Sequence, residues 1–200
     1  MKLHWNGFNK DFKQDNTIKD YDGNEYTEVV IGTQTWLVEP LKTSHYADGT
    51  PMILQTTNTN QSLPRYRNYD NIETYVNDFG RLYNHYLFIN NQTNLISGYH
   101  YPSHQEFETL WDFGGGRNYE EKFMATGTDY WDTSKGTDEF GWKGVGSGFG
   151  TSSGFSNIKQ NMDLYDMNGD LWVIDMTTSS IKNISQSDLN FFFPIRLIKD

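Results

Sequence analysis

The sequence predicts a domain of mixed helix and strand, in which short helices stand among strand hairpins and long loops. Three observations carry this prediction. A capped, amphipathic helix signal fills Ser103–Phe113, an Asn168-Gly169 hairpin signal separates two β-rich runs, and further β-rich runs open and close the chain.

Taken in order, Met1–Lys19 is polar with scattered aromatics (Trp5, Phe8, Phe12) and reads as an N-terminal arm, a candidate docking segment. Residues 20–200 form the domain. Asp20-Tyr21-Asp22-Gly23-Asn24 is a turn signal. Tyr26–Ile31, Gly32-Thr33 and Gln34–Val38 then read as strand, turn and strand. Thr56–Asp78 is rich in Asn, Thr and Tyr and poor in aliphatics, which predicts a long surface loop. Phe79–Tyr83 begins another ordered element, with a short helix over Tyr83–Ile89.

At the main helix, Ser103 and Glu106 have the spacing of a capping box, with Pro102 just before it. Phe107, Leu110 and Trp111 fall at i, i+3 and i+4, one apolar face. Gly114-Gly115-Gly116 ends it. A second helix is expected over Asn118–Thr126, with Asn118 as cap and Glu120 and Glu121 where the helix dipole favours anions. Glycines crowd Gly141–Gly154, so backbone can approach backbone there. Asp163–Met167 and Asp170–Ile174 flank Asn168-Gly169 as hairpin strands. Phe191–Ile198 closes the chain as a strand, with Phe191–Phe193 packing inward.

Composition narrows the function classes. Only 36% of the 200 residues are hydrophobic, with a mean hydropathy of −0.74, yet 16% are aromatic. Aromatic side chains bury much area each, so a core can form. The net charge of −10 disfavours nucleic acid and anionic membranes as partners and serves solubility. With no cysteine, thiolate metal sites and Cys nucleophiles are excluded. Met1–Gly7 lacks the apolar stretch of a signal peptide. Read as a natural start, it predicts a protein not exported by that route, and because no run approaches the roughly 18 apolar residues of a span, no membrane insertion is expected.

Several stretches resemble one family. Asp22-Gly23-Asn24-Glu25-Tyr26, then Val29-Val30-Ile31-Gly32-Thr33-Gln34-Thr35-Trp36, then Tyr46-Ala47-Asp48-Gly49-Thr50-Pro51-Met52 look like the opening of the Fibrobacter succinogenes major paralogous domain. Pro40 stands where that family usually has Asn. Gly98–Leu110 resembles its G-W-H-x-P-S-x-x-E-W-x-x-L segment. Phe149-Gly150 and Phe193–Asp200 resemble its G-Y-R and its closing segment, with Leu197 in place of a Cys. The resemblance covers about residues 20–200. It implies an α+β domain of C-type-lectin-like fold, with two short helices flanking twisted antiparallel sheets, long loops, termini close together and variable loops on one face. Relatives are mostly surface or secreted bacterial proteins, and similar folds serve as receptor-binding ends on bacteriophages. The helix also resembles that of formylglycine-generating enzymes. Those work through cysteines, which this chain lacks.

The remaining motifs point away from catalysis. His100 and Glu106 could form an acid–base pair, but the helix cap claims Glu106. His100 and His104 have Pro102 between them, which breaks the helical face a zinc pair needs. Asp163, Asp166, Asn168 and Asp170 resemble a calcium loop, but Gly169 precedes Asp170 and no closing Glu follows. A hairpin turn explains them better, and no cofactor is expected. Gly146–Gly150 lacks the strand, helix and Lys-Ser/Thr pair of a phosphate loop.

Binding is therefore the expectation, on a surface of aromatic, amide and carboxylate groups. By analogy with the late strands and loops of lectin-like folds, the candidate ligand-binding residues are Tyr130, Trp131, Asp132, Asn157, Gln160, Asn161, Asp163, Tyr165 and Trp172. The competing reading makes Trp131 and Trp172 plain core. The expected function is a non-enzymatic virion component of a bacteriophage: a decoration, fibre or tail-tip protein. It would contact other virion proteins through residues 1–19 and a cell-surface glycan or protein receptor through the domain. The alternatives are a secreted or cell-surface bacterial glycan-binding module and, behind it, a polysaccharide hydrolase with paired carboxylates.

Overall fold

The structure is a computed structural model that describes residues 17–57, 62–89, 94–151, 153–176, 180–184 and 190–200. It is an α+β chain, mostly strand with little helix. The arm over residues 1–16 lies outside the described residues. Ile18 and Lys19, read as part of that arm, instead form β1 (Ile18–Lys19) and pair with β2 (Glu25–Tyr26) across the predicted Asp20–Asn24 turn. The predicted hairpin forms as β3 (Glu28–Ile31) and β4 (Gln34–Leu37).

The expected long surface loop is overturned. After β5 (Ile53–Leu54), β6 (Arg65–Arg67) joins the largest sheet, and α1 (Tyr75–Phe79) follows. Arg65 and Arg67 point inward. The Arg67 guanidinium lies 4.2 Å from the Phe155 ring centre and donates to the Thr151 carbonyl at 2.6 Å. A strand buried through arginine stems and polar partners does not register in hydropathy. Next, β7 (Leu82–Asn84) takes the start of the helix expected over Tyr83–Ile89, leaving only α2 (Tyr86–Ile89).

After β8 (Tyr99–His100) comes the strongest prediction, realised as α3 (His104–Phe113). Ser103 Oγ accepts from the Glu106 amide and Glu106 accepts from the Ser103 amide, so both halves of the capping box are present. Phe107, Leu110 and Trp111 are buried, as the spacing requires. The second helix is a correction: Asn118–Thr126 holds only a single 3-10 turn at Glu120–Lys122. Phe123–Ala125 instead run through the core, and their backbone bonds across to Gly144, with Ala125 donating to its carbonyl and Phe123 accepting from its amide.

β9 (Ser147–Thr151), β10 (Gly154–Ile158), β11 (Asn161–Tyr165), β12 (Leu171–Asp175) and β13 (Ser180–Ile184) follow as successive antiparallel partners, except that β10 and β11 enter different sheets. The Asn168-Gly169 hairpin forms, closed at Tyr165–Leu171, with its loop lengthened to Asp166–Asp170. The Asp166 carboxylate accepts from the Asn168 and Asp170 amides and holds that loop. The single closing strand is also corrected. Pro194 lacks an amide donor, and around it the tail divides into β14 (Phe192–Phe193) and β15 (Ile198–Lys199).

Those two pieces fasten the molecule together. β14 sits inside the six-stranded sheet β10-β9-β14-β7-β6-β5, and β15 sits inside the four-stranded sheet β3-β4-β15-β8. Between them Arg196, fully buried, donates to the Trp142 and Lys143 carbonyls and stacks 4.2 Å from the Trp142 ring centre. The main core is built on tryptophan: Trp36, Trp111, Trp131, Trp142 and Trp172 are all buried. Trp142 meets Trp36 and Trp111 edge-on at 6.1 and 5.5 Å, the arrangement that aromatic quadrupoles favour.

Candidate functional site

Four of the nine predicted binding residues, Tyr130, Asp132, Asn157 and Gln160, come together on one surface, and a fifth, Asn161, follows at the start of β11 with its side chain hydrogen-bonded to Asp163. The turn Asn157–Gln160 joins β10 to β11, with the Gln160 amide donating to the Asn157 carbonyl at 3.0 Å. The segment Thr128–Asp132 lies against it. Asp132 donates its amide to the Lys159 carbonyl at 2.9 Å, and Gln160 Nε2 lies 3.4 Å from Asp132 Oδ2. Gly146 sits between the two segments, donating to the Tyr130 carbonyl and accepting from the Lys159 amide. A Cβ on Gly146 would fall 2.8 Å from Lys159 Cα, so only glycine permits this approach.

Asp132 and Gln160 are exposed, and Tyr130, Asn157 and Asn161 are half-buried. Two non-glycine residues of the turn, Asn157 (φ 64°) and Lys159 (φ 60°), hold left-handed backbone, a conformation that surrounding structure must impose. Sequence reasoning missed Lys143 and Lys159, which complete the surface. Lys143 Nζ lies 4.9 Å over the Tyr130 ring, and Lys159 Nζ reaches the Thr128 carbonyl at 3.3 Å. The stretch Asn157-Ile158-Lys159-Gln160, polar at three of its four positions and set between two β-rich runs, is the signal that could have found Lys159. Lys143 had none, since it arrives through the fold of the glycine-rich segment.

The other four candidates face inward and are corrected as direct ligand contacts. Trp131 donates its indole N–H to the Gly144 carbonyl at 2.8 Å inside the core. Trp172 is buried against Phe107 and His104. Tyr165 packs edge-on against Phe193 and Phe88. Burial on both faces explains the split: Met162–Tyr165 of β11 and Leu171–Ile174 of β12 are all buried, and Trp131 enters the core from a loop, whereas Asp132 and Gln160 lie on exposed turns. Asp163 is buried too, with Oδ1 lacking a hydrogen-bond partner among the described residues. Burial, reinforced by the like charge of Asp175, pushes its carboxyl up to about 7.

Elsewhere the clustered titratable groups are engaged with one another. His45 Nδ1 lies 2.5 Å from Asp22 Oδ1 and 3.1 Å from Ser44 Oγ. A relay of the Ser-His-Asp kind needs those partners on opposite ring nitrogens, and here they share one. His100 bridges Asp200 (2.8 Å) and Glu106 (3.0 Å) through its two ring nitrogens, tying the chain end to α3. Desolvation alone would lower the His100 pKa, but its carboxylate bonds outweigh this and raise it. Glu106, desolvated but bonded to the Ser103 amide and to His100, is lowered. Among the described residues, no group of three or more His, Asp or Glu side chains is placed to hold a metal ion. No helix among them is long and apolar enough to cross a membrane.

The sequence profile of the Fibrobacter succinogenes major domain matches residues 29–199. The chain belongs to that family. The match spans β3 to β15, and so includes the capped helix, the Asn157–Gln160 turn and the tail that enters both sheets. The family resemblance read from Val29–Trp36, Gly98–Leu110 and Phe193–Lys199 therefore holds. Comparisons with curated proteins and with solved structures find no match.

Proposed function

We propose that the chain is a non-enzymatic binding domain of C-type-lectin-like fold whose recognition surface is formed by Tyr130, Asp132, Asn157 and Gln160, with Lys143 and Lys159 beside them. The observation that carries this reading is the convergence of these groups on backbone held by cross-segment hydrogen bonds. A surface fixed before binding loses little conformational entropy when it meets a ligand. Amides, carboxylates and ammonium groups around a half-buried tyrosine suit the hydroxyls of a glycan or the polar face of a protein receptor.

We assign the domain to a bacteriophage virion, as a decoration, fibre or tail-tip component that attaches to the host cell. The Cys-free, acidic composition and the polar N-terminal segment support this placement. The test is a glycan array and intact bacterial cells, both probed with the labelled full chain, alongside a reducing-end assay on every glycan bound. The reading expects a restricted set of hits with no sugar released. Release of reducing ends would replace binding with hydrolysis, and an array and cells without hits would remove the receptor role.

A further inference from the structure

A cleft lies on another part of the molecule, between Lys19–Tyr21 and Ala47 on one side and Leu95–Ser97 on the other. It is a shallow, open cleft of about 200 Å³, smaller than a drug-sized site and suited to a single sugar ring. It shares no residue with the surface described above and does not depend on that reading. Lys19–Tyr21 also precede the segment matched by the family profile.

Two loops build it. Tyr21 sits in the turn between β1 and β2, and Ala47 belongs to the loop that reverses at Asp48-Gly49. The Ala47 amide donates to the Asn94 carbonyl at 3.0 Å, which fastens that loop to the Leu95–Ser97 segment. Gly49 has φ 86°, and a Cβ there would fall 2.7 Å from the Tyr21 ring, so the glycine backbone acts as a flat support for the ring. The His45 ring packs at 5.2 Å. Tyr21 is nonetheless 59% exposed. It is an aromatic plate held from behind and left open to solvent, while Leu95 and Ile96 are buried beneath the cleft and leave the Tyr21 ring as its apolar surface.

The charged groups on the rim are already satisfied. Lys19 Nζ pairs with Glu25 at 2.8 Å. The Asp20 carboxylate accepts from the Asn24 amide, from Asn24 Nδ2 and from the Tyr26 hydroxyl, all within 2.9 Å. A charged ligand would gain no free counter-charge here. The groups left for recognition are the Tyr21 ring and the exposed Ser97 hydroxyl. An apolar plate with a hydroxyl at its edge matches the two sides of a sugar ring, whose C–H face is apolar and whose rim is polar.

We propose that this cleft is a second ligand site, taking a neutral saccharide with a pyranose face against Tyr21 and a hydroxyl toward Ser97. The test is an amide NMR titration of the full chain with methyl β-glucopyranoside, methyl β-galactopyranoside and N-acetylglucosamine, with N-acetylneuraminic acid as the charged comparison. At least one neutral sugar should shift the Tyr21, Ala47 and Ser97 amides along a saturating curve. Tyr21→Ala should raise that Kd tenfold or more, and Ser97→Trp, which fills the cleft from an exposed position, should abolish the shifts. The Asp132→Ala, Gln160→Ala double variant should keep them, which separates this site from the other surface. The proposal is overturned if no neutral sugar moves those amides, if the shifts survive both cleft variants, or if the charged sugar binds more tightly than the neutral ones.

Discussion

Replacing Arg196 by Met should be among the most damaging single changes outside the tryptophan core. The side chain is fully buried, and burial pulls its guanidinium down to about 9, so it remains charged at neutral pH. It donates to the Trp142 and Lys143 carbonyls and stacks on the Trp142 ring. Two charge-assisted hydrogen bonds contribute about 1.5–3 kcal/mol each, and a desolvated cation–π contact about 2. Met restores the apolar volume and removes the cost of a buried charge, which is several kcal/mol and opposes those gains. The net loss is about 2–4 kcal/mol, equivalent to a fall in Tm of about 10 °C for a chain of this size. Thermal unfolding followed by circular dichroism measures it. Arg196→Lys should fall between the two, because a single ammonium cannot fork to both carbonyls. An Arg196→Met variant melting within about 2 °C of the parent would refute the claim that this residue joins the tail to the Trp142–Lys143 segment.

Other perturbations separate core from surface. Trp131→Ala should cost about 3–5 kcal/mol in denaturant unfolding, whereas its neighbour Asp132→Ala should cost no more than about 0.5, despite their shared place in the predicted binding set. Ser103→Ala should lose about 1 kcal/mol through the helix cap, read from the same curves. The His100 clamp should shape stability against pH. The raised His100 contributes fully below its unfolded value of 6.5 and less as pH rises through its folded value; the lowered Glu106 contributes above 4.5 and less as pH falls. The Tm difference between the parent and His100→Gln should therefore be largest between those values and shrink on the alkaline side. Asp163 runs the other way. Its folded state holds the proton up to about 7, against 3.8 unfolded, so folding weakens as pH rises across that interval. Asp163→Asn should match the parent near about pH 4 and melt higher at about pH 8.

Where local chemistry decides the structure, the sequence was readable. The capping box needs only Ser103, Glu106 and the apolar spacing behind them, and α3 forms as drawn. The β3–β4 hairpin and the turn at Asn168-Gly169 likewise depend on near neighbours. Where distant partners decide, it was not. β6 is buried through Arg67 lying on Phe155 and Phe192, residues far along the chain. Asn118–Thr126 has helical signals, yet Gly144 captures the backbone of Phe123 and Ala125. The binding set divides for the same reason. Asp132 and Gln160 are polar turn residues with one environment open to them, while Trp131 and Trp172 suit a sugar platform or a core equally well, and only tertiary packing chooses.

The most direct measurement is an isothermal titration of the tightest array hit against the parent chain and the Asp132→Ala, Gln160→Ala double variant, with Tm recorded for both. If this turn-borne surface holds the ligand, the double variant melts like the parent and its Kd rises by at least tenfold, about 1.4 kcal/mol. An unchanged Kd in a folded variant would contradict the assignment of recognition to these residues.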